Sequence, residues 1–134
     1  MFSYAFRYGF VSFATVLALA LLAPTVTAAP DAVERGKYLV GPAGQCADCH
    51  GATLAGAPQE PGPPGVPWAE RSANLRGLPM FATDAAAIAY LETARLPNGR
   101  HARGPMPRYH FNVVDATAIV AYLRSLSASR GVSR

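Results

Sequence analysis

The run Cys46-Ala47-Asp48-Cys49-His50 constrains this chain more than any other stretch, because Cys-x-x-Cys-His is the attachment pattern for a c-type haem. The two intervening residues let one turn of backbone present both sulfurs to the same porphyrin edge. Each thiol can then add across one vinyl group to form a thioether. His50 falls beneath the iron as the expected proximal ligand, with its other ring nitrogen free to donate the hydrogen bond that fixes tautomer and ring orientation. One such motif implies one covalently bound haem c, which becomes part of the core the chain must build around it.

Two other chemistries compete for these cysteines. Disulfide oxidoreductases use Cys-x-x-Cys inside a βαβ pattern, and no such pattern is present. A zinc site would need four ligands, for which Cys46, Cys49, His101 and His110 are the candidates. The histidines lie nine positions apart, outside finger spacing, and there is no second cysteine pair. The remaining non-haem reading is a secreted binding module in which Cys46 and Cys49 form a disulfide.

The amino terminus points to export. An apolar stretch from Val11 to Ala23, preceded by Arg7, reads as a secretory signal peptide, and Val26-Thr27-Ala28 offers small residues before a cut. Cleavage after Ala28 gives residues 1–28 as signal and 29–134 as a single domain. The alternative is an uncleaved membrane anchor, although the central run is short of the ~20 apolar residues needed to span a bilayer. A chain of this length buries a modest core without help. Twelve basic residues against eight acidic ones give a mild positive bias. No run of arginines forms a nucleic-acid or heparin patch, so nucleic acid is not an expected partner.

Along the domain, helical signals occur in three places and no alternating strand pattern appears, which predicts an all-α fold. The first helix is expected from Asp31, which has capping-box spacing to Glu34, to Gly41-Pro42, with Val33, Gly36, Tyr38 and Val40 on its packing face. The second is expected over Thr83 to Arg95, with Thr83 as N-cap and Ile88, Leu91 and Ala94 as apolar contacts, stopped by Pro97-Asn98-Gly99. The third starts near Asn112, which has cap spacing to Asp115, and carries a stripe of Ala116, Ile119, Val120, Leu123 and Leu126.

Between Gly51 and Ala82 the chain has little periodicity, and residues 58–67 hold five prolines. Proline fixes φ and removes amide donors, so this stretch is expected to be an ordered loop, one long enough to have a use. Wrapping a haem edge is the candidate role, with Trp68 supplying a ring and an indole donor and Arg71 or Arg76 pairing with a propionate.

The iron's sixth position decides what such a protein can do. Met80 and Met106 are the thioether candidates, with His101 and His110 behind them. Met106 sits in Gly104-Pro105-Met106-Pro107, where flanking prolines stiffen the segment and narrow the side chain's orientation. Met80, in Leu78-Pro79-Met80-Phe81, reads as a staple or core residue. Met106 is therefore the expected distal ligand, and a soft thioether would raise the potential and close the site to exogenous ligands.

Gly36-Lys37-Tyr38-Leu39-Val40, the Cys46–Gly51 run, Pro97-Asn98-Gly99-Arg100, Pro105-Met106-Pro107 and Ala118–Leu126 together resemble the class I cytochrome c family, in particular cytochrome subunits of periplasmic dehydrogenases. The resemblance implies a small cytochrome c-like fold of about three main helices around one haem. It implies that the first and last helices cross where Gly36 admits Tyr122, and that Met106 is the distal ligand. The function so implied is a periplasmic monohaem carrier of single electrons between a redox protein donor and acceptor, with no substrate chemistry of its own. A haem sensor or peroxidase with an open or labile distal site is the alternative.

Overall fold

The structure, a computed structural model, describes residues 30–128; the expected signal segment and its cut after Ala28 lie outside them. Helix α1 (Pro30–Tyr38) opens on a proline, tolerated where a helix needs no amide donor, with Asp31 in its first turn. It does not run on as an α-helix to Pro42. At Leu39 the backbone widens into a π-helical turn, Leu39–Ala43, that contains Pro42. Proline has no amide to continue the α ladder, so the register changes here. Of the expected packing face Gly36 and Val40 are buried, whereas Tyr38 is 61% exposed and Leu39 is buried beside Val40.

Helix α2 (Cys46–His50) is a short helix that periodicity could not announce. Helix α3 (Asp84–Thr93) is capped as expected, the Thr83 hydroxyl accepting from the Ala86 amide at 3.2 Å, and it ends at Ala94, whose φ of 55° is left-handed. Helix α4 (Val113–Ala128) is capped by Asn112, whose side-chain carbonyl accepts from the Asp115 amide at 3.0 Å while its amide donates to the Asp115 carboxylate. Among the described residues there are isolated bridges but no strand, and the fold is all-α. No helix among them is long and apolar enough to cross a membrane.

The heaviest packing is α1 against α4, followed by α3 against α4. Gly36 makes the first contact close: a Cβ there would stand 2.7 Å from Tyr122 Cβ and closer still to the Ala118 carbonyl. Arg35 of α1 also pairs with Asp115 of α4, its Nε donating at 2.6 Å. The apolar stripe of α4 supplies the centre of the core, where Ala116, Ile119, Val120 and Leu123 are buried with Leu39, Val40, Leu78 and Phe81.

The long stretch between α2 and α3 is tied down throughout. The two sides of its proline-rich part are drawn together by Gln59 N to Glu70 O and Ser72 N to Ala57 O, while its early part docks on α2 through Gly56 N to His50 O and its later part on α4 through Gly77 N to Leu123 O. Arg124 of α4 reaches into it, donating to the carbonyls of Gly77 and Phe81 and to the carboxylate of Asp84.

Candidate functional site

Helix α2 places Cys46, Cys49 and His50 on the wall of an apolar cleft in the body of the fold. The π-helical turn aims them there. It delivers the chain to Gln45, held at a left-handed φ of 49°, from which α2 starts in a new direction. Gly44 is needed at this bend, since a Cβ would run into the Leu39 carbonyl. The last carbonyls of α2 are then satisfied from the loop: Cys49 O accepts from Ser72 Oγ at 2.8 Å and from Gln59 Nε2 at 2.7 Å.

His50 is 7% exposed, and its Nδ1 lies 2.7 Å from the Ala73 carbonyl. A carbonyl only accepts, so Nδ1 carries a proton, and in the neutral imidazole the lone pair is on Nε2. Nε2 has no hydrogen-bond partner among the described residues, which leaves it available to a metal in the cavity. Burial pushes the Cys46 thiol above its ordinary pKa, and the neighbouring Cys49 and Asp48 add to the rise. The sulfur is a neutral, half-buried group. Cys46 and Cys49 are both free thiols, not a disulfide.

Two cavities of about 260 Å³ and 350 Å³ meet at this wall. Cys49, His50, Leu75, Phe81, Pro105 and Met106 line both, so the chain offers an imidazole and a thioether to one continuous slot. The first cavity adds Cys46, Leu78, Ile119 and Leu123, an apolar surround that the α4 stripe completes. These residues fit a covalently held haem: two thiols on one helix, apolar walls, and a histidine and a methionine lining the same space. A porphyrin needs that apolar surround, and iron needs those donors.

Other candidates fall out differently. Met80 is not a core residue; it is 41% exposed and, of the two cavities, lines only the second. His101 Nδ1 pairs with Ala94 O at 2.8 Å and His110 Nδ1 with Glu92 O at 3.1 Å, and neither residue lines either of these two cavities. No group of three or more His, Cys, Asp or Glu that could hold a metal ion occurs among the described residues, so the four candidate zinc ligands are not gathered. Arg71 lines the second cavity, joined there by Arg103, whereas Arg76 bridges the carbonyls of Thr53 and Leu126. Trp68 lines neither cavity, and its indole donor is taken by Glu60 O at 2.9 Å. Ser72, Gln59 and the Ala73 carbonyl were not legible in advance, because a hydrogen bond to a distant carbonyl leaves no periodic signal.

The family model for cytochrome c matches residues 33–127, nearly all of the described chain and most of the sequence. This chain belongs to the cytochrome c family. A cytochrome c binds haem c covalently and transfers electrons, and Cys46 and Cys49 fit the Cys-x-x-Cys-His motif by which this cytochrome takes one haem. Comparison with curated proteins and with solved structures returns no match. The helical architecture is that of a small all-α cytochrome c.

Proposed function

We propose that this protein is a class I, monohaem cytochrome c of the periplasm, passing single electrons between redox proteins as the cytochrome partner or subunit of a dehydrogenase. Cys46 and Cys49 form the thioethers, His50 is the proximal ligand and Met106 the distal one. The observation that carries this reading is the sharing of one slot by His50, with its proton committed to Ala73 O, and by Met106 between its two prolines. The apolar stretch before Ala28 supports export, and the Gly36–Tyr122 packing supports the class.

When bound, the haem supplies the redox-active iron. The chain does the rest. Ala73 holds the His50 ring so that Nε2 keeps its lone pair on the cavity side, while Leu75, Phe81 and Leu123 exclude water and lower the local dielectric. Pro105 and Pro107 limit how far the Met106 side chain can stray. With His50 and Met106 holding the iron from an apolar wall, the chain would need to move little when the charge on the group changes, which suits repeated single-electron transfer.

The test is the visible and near-infrared absorption of the protein purified from a periplasm with c-type maturation, oxidised and reduced. Sharp reduced bands with the weak near-infrared sulfur-to-iron band in the oxidised form are expected. Haem without the sulfur band would replace the carrier with an open-site sensor or peroxidase, and absence of haem would overturn the reading.

A further inference from the structure

Trp68 sits at the junction between the proline-rich loop and the segment that carries Met106. Its indole lies against two glycines at once. A Cβ on Gly62 would stand 2.6 Å from Trp68 Cβ and nearer still to the ring, and a Cβ on Gly104 would stand 2.6 Å from Trp68 Cζ3. The backbone on either side of Trp68 pairs with Gly104 in both directions: Ala69 N donates to Gly104 O at 2.8 Å, and Gly104 N donates to Pro67 O at 3.2 Å. The indole donor closes the arrangement on Glu60 O, back in the loop. Residue 104 is therefore pinned two positions before Met106. The other end of the segment is fixed too, since Tyr109 Oη donates to Gly44 O at 3.1 Å, beside the attachment helix.

We infer that Trp68 is a positioning residue for the Met106 sulfur, and that the proline-rich loop is the frame that holds Trp68 in place. This rests on the reading of Met106 as distal ligand. A neutral thioether competes with water and small exogenous bases for iron, and those competitors bind only the population in which the sulfur has swung away. Their apparent affinity scales with the fraction of that open population. Holding residues 104 and 109 keeps the open fraction small; removing one anchor raises it. The five prolines of residues 58–67 make the frame stiff without regular secondary structure, which gives this unusual stretch a use although Trp68 never touches the cavity.

The experiment is imidazole titration of the ferric holoprotein, followed by loss of the near-infrared sulfur band. Trp68→Ala is expected to lower the apparent imidazole dissociation constant by about tenfold or more, with the haem still attached, while Trp68→Phe, which keeps most of the packing, stays near the parent. Gly104→Ala, which drives a methyl group into the intact ring, is expected to reproduce the Trp68→Ala effect and serves as the deciding variant if Trp68→Ala does not accumulate. Arg35→Met, which loosens α1 from α4 away from the segment, should keep the parent's imidazole affinity despite lower stability against denaturant. Parent-like affinity in both Trp68→Ala and Gly104→Ala, or an equal change in Arg35→Met, overturns the inference. A sulfur band that survives Met106→Ala overturns the ligand assignment instead, so the two failures are told apart.

Discussion

His50 is held from behind by Ala73: its Nδ1 lies 2.7 Å from a backbone carbonyl more than twenty residues downstream, in the long loop and not in its own helix. The loop thus sets the orientation of the imidazole that α2 delivers. His50→Ala should prevent stable holoprotein from accumulating, because it removes an iron ligand and a buried part of the wall together. Haem content per polypeptide after co-expression with maturation machinery measures this, and a normally coloured, stable variant would reject the proximal role.

The two methionines should separate cleanly. Met106→Ala is expected to abolish the near-infrared sulfur band, lower the reduction potential and admit exogenous ligands, whereas Met80→Ala, at a partly exposed position lining only the second cavity, should leave spectrum and potential near the parent's. Spectroelectrochemistry on both variants checks it. The opposite pattern would transfer the ligand role to Met80.

Close approach of the first and last helices depends on a missing side chain. Gly36→Val would force α1 away from the Ala118 carbonyl and Tyr122, at a cost of about 1–3 kcal/mol or more. Gly41→Ala is the matched comparison, since a Cβ there meets nothing within 4 Å. Guanidinium unfolding of the two holoproteins should show a clear drop in midpoint for the first and little change for the second.

Arg124 joins α4 to the chain just before α3 through carbonyl groups more than through its ion pair. Removing it in Arg124→Met should cost about 1–3 kcal/mol, because Gly77 O and Phe81 O lose a charged donor. Asp84→Asn, at an exposed carboxylate, should cost less than about 1 kcal/mol. Equal losses in denaturant melts would mean that the ion pair is the working part of the contact.

What could be read from the sequence was what is encoded locally. Thr83 and Asn112 sit at helix starts and bond to amides three residues on, so both caps were visible. The α4 stripe repeats often enough to announce a buried face, and Cys-x-x-Cys-His names its own chemistry. Of the first helix's expected face Gly36 and Val40 are buried, whereas Tyr38 was misplaced: it is the last residue of α1 and exposed, and the buried neighbour is Leu39, where the π-helical turn begins and the α-helical spacing stops applying. The α2 helix is too short to display a period. Trp68 was assigned to the cofactor from its size and its donor; its real partners, Gly62, Gly104 and Glu60 O, are defined by tertiary proximity that no local pattern records.

The pairing of α1 with α4 also fixes an order of events. Gly36 has no surface to close upon until Ala118 and Tyr122 exist, so a chain emerging from its amino end carries Cys46, Cys49 and His50 into the open well before the last helix can seal the core. The attachment motif is early and the lid of the core is late. A chain cut short before Val113 would present both thiols but lack the Ile119 and Leu123 wall, so the residues that carry the attachment chemistry and those that enclose the cavity come from opposite ends of the fold.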